Sequence, residues 1–197
     1  AFRSVSAAEV ASLVGWSVVE SGGRVGLLAL TPGGPVVVPP RGRVRGMLDV
    51  IGALVHGHQT GLEAVASGAI DDERALSSAL APVERLAPAG AEVLVVSGFD
   101  AVGDTLQDRF DAIERRRAIR LVMITDAEAN DLPQGRYPLR LADGRFARVS
   151  LSGGSAGAAH SDAREVAGRA AFVIHASDPI EQTAARLSAS TLRTSAA

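Results

Sequence analysis

Leu121-Val122-Met123-Ile124-Thr125-Asp126-Ala127-Glu128, followed by Leu132-Pro133-Gln134-Gly135-Arg136-Tyr137-Pro138-Leu139, is the stretch on which the reading of the fold turns. A half-exposed strand alternates apolar and polar residues, whereas this run is apolar throughout until it stops at Thr-Asp. It therefore reads as a strand buried on both faces, the signature of a parallel sheet covered by helices above and below. The hydroxyl and the acids then stand at the strand's C-terminal end, where open α/β sheets bind ligands and partners. The Leu-Pro and Tyr-Pro turn leads into an expected hairpin pairing Tyr137–Leu141 with Arg145–Leu151 across Asp143-Gly144, a favoured two-residue turn.

Outward from that strand the pattern alternates. Ala91–Ser97 and Ala170–His175 read as two further buried strands. Ser6-Ala7-Ala8-Glu9 is a capping-box pattern ahead of Val10, Leu13, Val14 and Trp16, and Gly22-Gly23 closes that helix. Arg24–Leu30 and Pro35–Pro39 form an expected hairpin around Thr31-Pro32-Gly33-Gly34, with Pro39-Pro40 blunting an edge strand. Met47 to Val55 has helical spacing and is expected to fray at His56-Gly57-His58, ahead of a short helix at Leu62–Ala66. A helix over Glu73–Ala87 must accommodate Pro82 in its first turns or kink there.

Asp104-Thr105-Leu106-Gln107 opens a helix to about Arg117, whose terminal Arg115-Arg116-Arg117 complements the helix dipole from solvent. Ser152–Ala159 reads as a loop, Ala163–Gly168 as a short helix, and Asp178-Pro179-Ile180-Glu181 as the start of a last helix. The expected architecture is one α/β domain over residues 1–197, Rossmann-like, with a mainly parallel sheet and an antiparallel edge hairpin.

Composition narrows the function classes. Hydrophobic residues are 47% and charged residues 21%, which suits a globular core and argues against extended disorder. The net charge of -2 favours neither a nucleic-acid groove nor an anionic membrane surface. All the basic residues are Arg, so Schiff-base lysines and a Walker-type phosphate lysine are excluded. The lack of Cys excludes disulfides and thiolate chemistry, and a cytoplasmic location is the expectation. No apolar run is long enough to insert into a membrane. The chain starts at Ala1 without an initiator Met, so a longer parent protein is expected.

Two conventional catalytic motifs are missing from the sequence, His-Glu-x-x-His and the Walker loop. The one Gly-x-Ser-x-Gly match, Gly153-Gly154-Ser155-Ala156-Gly157, follows a hairpin strand in a Gly/Ser/Ala-rich stretch instead of the strand-to-helix turn that a nucleophile elbow needs. Ser152-Gly153-Gly154-Ser155-Ala156-Gly157 resembles a phosphate loop only in composition, has no Lys nearby and reads as a linker. His56 and His58 are two apart, which splays them on a helix and makes a poor metal pair. His175 closes a strand beside Ser177 and Asp178, whose types suit helix capping better than catalysis. Asp126 and Glu128 are the acids best placed for a site, with turn formation around Asn130-Asp131 as the competing reading. Acid–base chemistry by His175, Asp126 or Glu128 on a Rossmann-like sheet is the enzymatic alternative; a non-catalytic module is the expectation.

Five segments in order carry a resemblance: Phe2 to Glu9, Gly23 to Gly26, Pro40 to Gly42, Ser97 to Phe99, and Thr125 to Leu139. Together they resemble the bacterial domain-of-unknown-function family 58, over about residues 2 to 150, whose members look like divergent von Willebrand factor A domains. The resemblance implies a metal-ion-dependent adhesion site at the C-terminal edge of the sheet, where a Mg²⁺ ion would suit oxygen ligands. It implies that a first strand bearing Asp-x-Ser-x-Ser would lie just before Ala1. The family's Ser-Asp-Phe is Ser97-Gly98-Phe99 here, and Arg74 aligns with the loop Thr, so two expected ligand positions lack a ligand. Asp100 and Thr60 are the nearest oxygen-bearing alternatives, but their positions give no reason to expect either as a ligand.

No resident cofactor is therefore expected, with Mg²⁺ binding only if upstream ligands exist. The resemblance further implies a MoxR-type AAA+ ATPase as partner and a role in protein assembly or maturation. The candidate contact residues are Ser97, Phe99, Asp100, Asp126, Glu128, Leu132, Pro133 and Tyr137.

Overall fold

A computed structural model describes residues 2–68, 75–126, 135–140, 146–151 and 163–194. In chain order the elements are α1 (Arg3–Glu20), β1 (Arg24–Thr31), β2 (Gly34–Gly42), α2 (Arg43–Ala66), α3 (Leu76–Ala79) and α4 (Val83–Leu86). They continue with β3 (Glu92–Ser97), α5 (Leu106–Glu114), β4 (Ala118–Thr125), β5 (Gly135–Arg140), β6 (Phe146–Leu151), β7 (Ala163–Val166), β8 (Arg169–His175) and α6 (Ile180–Thr194).

The main sheet has the order β3-β4-β8-β7. β4 is parallel to both neighbours, with Val95 opposite Leu121 on one side and Leu121 opposite Ala171 on the other. Leu121, Val122, Met123 and Ile124 are all buried. Alternation sends Leu121 and Met123 to a cluster with Leu76, Val83, Leu106, Phe110 and Ile113, from α3, α4 and α5, and with Leu80 just past the end of α3. Val122 and Ile124 face the opposite cluster, with Val10 of α1 and Leu187 of α6. Each such side chain contributes about 1.5–3 kcal/mol by burial, which outweighs any surface ion pair in this chain. The sheet is thus mainly parallel and covered on both faces, as the apolar run requires.

A third cluster joins α1 and α2 to the β1–β2 hairpin through Val19, Met47 and Val50, with Trp16, Val25, Leu27 and Val38 against them. The hairpin forms its own two-stranded sheet and is not hydrogen-bonded to the edge of the main one, where the sequence placed it. Leu28 of β1 nevertheless packs against the cluster under β3 and β4. The antiparallel edge strand of the main sheet is β7, paired with β8.

Several local expectations need correction. α1 starts at Arg3, with the Val5 and Ser6 amides bonded to the Phe2 carbonyl, so Ser6 is already inside the helix. Its hydroxyl donates to the Ala176 carbonyl, fixing α1 to the end of β8. The far end closes as expected: Gly22 has φ +84°, and the Gly22 and Gly23 amides bond the Val19 and Val18 carbonyls. α2 does not fray at His56-Gly57-His58 but runs on to Ala66. Gly57 is tolerated there because it faces the hairpin; a Cβ would lie 3.0 Å from Thr31 Cγ2.

Pro82 stands as the N-terminal flank of α4 and separates it from α3, so no continuous helix spans the part of 73–87 that is described. α5 ends at Glu114, and Arg117 turns back to donate to the Ala87 and Glu84 carbonyls, satisfying groups at the end of α4. Thr105 precedes α5 without a side-chain cap bond. The hairpin β5–β6 pairs Tyr137 with Val149, while its Asp143-Gly144 turn and the Ser152–Ala159 loop lie outside the described residues.

Residues 163–166 are a strand, not the expected helix. Val166 pairs with Arg169, so Ala167 and Gly168 form a two-residue hairpin loop, and both have positive φ, +48° and +75°. Arg169 then crosses to α5, donating to Asp111 and Glu114 and lying 5.2 Å from the centre of the Phe110 ring. The Glu114 hydrogen bond raises the Arg169 pKa against the opposing effect of burial, with Asp111 adding to the rise, so the cation is held at any ordinary pH. No helix among the described residues is long and apolar enough to cross a membrane.

An L-alanine in the left-handed region costs about 1 kcal/mol that asparagine largely avoids. Ala167→Asn is therefore expected to raise stability by about 0.5–1 kcal/mol in denaturant melts, and Gly168→Val to lower it by at least about 1 kcal/mol.

Candidate functional site

The parallel strands β3, β4 and β8 end side by side at Ser97, Thr125 and His175. Thr125 and His175 are register partners, and Thr125 Oγ1 lies 3.0 Å from His175 Nδ1. The Ala176 amide donates to the Thr125 carbonyl, continuing the ladder past the strand end. Behind it the Asp178 carboxylate accepts from the His175 amide and from Arg186, whose guanidinium lies 5.2 Å from the Phe172 ring centre. His175 is buried and held by these neighbours, which accounts for Asp178 as a structural acid at the head of α6.

At the end of β3, Ser97 Oγ accepts the Phe99 amide at 3.0 Å. This closes a tight turn in which Phe99 has φ +56° and packs against the cluster under the sheet. The turn projects Asp100 back over the strand ends. Arg3, from the first turn of α1, meets it there: Nη1 donates to Asp100 Oδ2 at 2.7 Å. The same guanidinium places Nε 3.2 Å from Asp126 Oδ2, the acid that follows β4. One arginine therefore bridges the two carboxylates that follow adjacent strands.

Gly98 makes this bridge possible. A Cβ at that position would lie 2.5 Å from Asp100 Oδ2 and 2.6 Å from Arg3 Nη1. Any side chain at 98 would have to displace one or both. All three charged side chains are partly solvated, at 41% exposure for Arg3, 54% for Asp100 and 67% for Asp126, so each pair contributes at most about 1 kcal/mol. The bridge therefore governs the chemistry of the surface more than the stability of the fold.

The structure thus brings together Ser97, Phe99, Asp100 and Asp126 from the sequence candidates. Glu128, Leu132, Pro133 and Arg74 lie outside the described residues, and Tyr137 is placed in β5 by its backbone. Thr60 is not at this edge: its hydroxyl bonds the His56 carbonyl in α2, and its methyl faces the β1–β2 turn. His58 lies 3.0 Å from Ser4 Oγ with Phe2 stacked at a tilt nearby, a contact between α1 and α2. Arg3 escaped the sequence reading altogether. The one signal for it was a cation at the head of a helix, where the dipole disfavours positive charge and an acidic partner is needed.

Chemically, the arrangement presents two carboxylates and a guanidinium that already satisfy one another at the solvent boundary. A partner can enter by exchange, supplying a carboxylate to Arg3 or a cation to Asp100 and Asp126. Among the described residues no three His, Cys, Asp or Glu side chains group as a metal cluster. A shallow groove lined by Val19, Gly22, Arg24, Gly42 and Arg43 lies at the other end of α1.

If Gly98 admits the bridge, Gly98→Ala should cost about 1 kcal/mol in the native chain and clearly less in an Arg3→Ala background. Equal cost in both backgrounds would show that Gly98 acts on something other than the Arg3–Asp100 pair.

Comparison with known proteins gives one match: the family model described as Protein of unknown function DUF58 matches residues 2–150. No curated protein and no solved structure matches the chain.

Proposed function

The chain belongs to the DUF58 family, and from that premise we propose that it is a non-catalytic protein-interaction module with a von Willebrand factor A-like fold. Its adhesion-type metal position is degenerate, and its contact face is the strand-end surface around Ser97 to Asp100 and Asp126. The observation that carries this reading is the Arg3 bridge, because a guanidinium occupies the space between the two carboxylates that a divalent cation would need. The turn at Ser97, Gly98 and Phe99 supports it, since the glycine both lacks a ligand and makes room for the arginine.

The partner class follows from the family resemblance: a MoxR-type AAA+ ATPase, in assembly or maturation of other proteins. Exposed strand-end acids suit exchange with basic side chains on such a partner. Among the described residues β3 is the outer strand of the main sheet, with the separate β1–β2 hairpin packing on the same cluster through Leu28, which suits pairing with a partner's strand.

A Mg²⁺-dependent adhesion domain is the second reading, favoured by the convergence of Asp100 and Asp126 on one point. Calorimetry separates the two on the longest available form of the protein. The module reading expects no Mg²⁺ heat at millimolar ion; saturable binding that Asp126→Ala abolishes would establish the metal reading instead. In pull-downs with the ATPase, Asp100→Ala plus Asp126→Ala should lower recovery about tenfold, in line with loss of charge-assisted contacts. Unchanged recovery would move the contact face elsewhere.

A further inference from the structure

α2 carries an apolar stripe that the rest of the described chain leaves in solvent. Leu48, Val55 and Leu62 are 57%, 51% and 44% exposed, and Val44 at 54% and Val65 at 79% flank them. The opposite face of the helix is already used, with Met47, Val50 and Leu54 packed on α1 and the hairpin. The stripe is therefore surplus to the core formed by the described residues. Leu48, Val55 and Leu62 recur every seven residues, a repeat that drifts only about 20° per heptad and so stays on one face of a straight helix.

The charges beside the stripe are arranged about its midpoint. Arg45 and Glu63 are both exposed, and they stand about five turns apart, hence on the same side of the helix at opposite ends. Val55 lies midway between Leu48 and Leu62. Gly52, one turn before it, has nothing within 4 Å of a built Cβ, which leaves open space above the helix.

We propose that this face binds α2 of a second copy of the chain, antiparallel, about a two-fold axis at Val55. Leu48 then meets the partner's Leu62, and Val55 meets the partner's Val55. A two-fold axis perpendicular to the helices keeps each flank on its own side, so Arg45 comes beside the partner's Glu63 at both ends of the contact. The axial mismatch of that pair is about 3 Å, within reach of a long guanidinium arm. The two helix dipoles oppose one another favourably. A parallel pairing would instead leave Arg45 about 27 Å along the helices from the partner's Glu63, with no opposite charge at its own level. An unrelated partner would have no need of a stripe symmetric about its own midpoint with opposite charges at its two ends. That symmetry is what an isologous contact requires. The inference stands on α2 alone and uses none of the strand-end residues.

Sedimentation equilibrium across a concentration series tests it directly. The chain should show a reversible monomer–dimer equilibrium, and Val55→Glu, which places two carboxylates at the axis, should weaken it at least about a hundredfold. Arg45→Glu and Glu63→Arg should each weaken it about tenfold, and the double charge swap should restore it. Circular dichroism melts identify any variant whose fold is lost, and such a variant is replaced by Val55→Gln.

Because the chain has no cysteine, single introduced cysteines report the geometry. Val55→Cys should form an oxidative dimer. Leu48→Cys alone should not, since its two copies would stand about 21 Å apart along the helices. Leu48→Cys mixed with Leu62→Cys should cross-link. A chain that stays monomeric throughout, a charge swap that fails to restore association, or Leu48→Cys self-linking as readily as Val55→Cys would overturn the proposal.

Discussion

Leu121 and Met123 leave β4 on one side of the sheet and Val122 and Ile124 on the other, and exposing any of them would forfeit about 1.5–3 kcal/mol. That double burial requires a layer of helices on each face, and the rest of the chain supplies them. α5 with α3 and α4 covers one side, and α1 with α6 covers the other. It also requires neighbours on both edges, which β3 and β8 provide in parallel register. Once the strands are parallel, their C-terminal ends coincide, and Ser97, Thr125 and His175 are placed side by side by the same constraint that builds the core.

α1 links this core to everything else. Val10 faces β4 and β8, Val19 and Trp16 face α2 and the β1–β2 hairpin, and Ser6 ties the helix to Ala176. Its first residue, Arg3, then reaches the strand ends and joins Asp100 to Asp126. A surface bridge of this kind adds little to stability, but its position is dictated by a helix whose placement is strongly determined. The chemistry of the edge is thus set by packing some distance away. The same division of labour explains α2: one face is consumed by the hairpin and α1, and the other is apolar and exposed among the described residues.

Legibility in the sequence followed the strength of the local signal. The strands at 92–97, 118–125 and 169–175 were readable because unbroken β-branched and aliphatic runs have few other uses. Boundaries set by long-range contacts were less readable. Ser6 has the right spacing for a cap, yet it lies inside α1 because its hydroxyl has a partner on Ala176. His56-Gly57-His58 looks like a helix end, yet α2 continues because the hairpin lies against Gly57. Ala163–Gly168 became a strand and turn because β8 offered an edge to pair with, a fact invisible in six residues. The acids at the strand ends were found from position alone, whereas Arg3 was not, since nothing local connects it to residues about a hundred positions away.

By itself the sequence determined the chain's class: an α/β domain with a mainly parallel sheet, no thiol or lysine chemistry, and acids gathered at the strand ends. Those properties rest on composition and short-range periodicity, which the chain carries wherever it goes. Tertiary structure decided what those acids do. Only the folded chain brings the head of α1 over the ends of β3 and β4, and only there does a guanidinium lie between Asp100 and Asp126. The reason is geometric: an ion pair acts over a few ångströms, while its partners are separated along the chain by most of the domain that positions them.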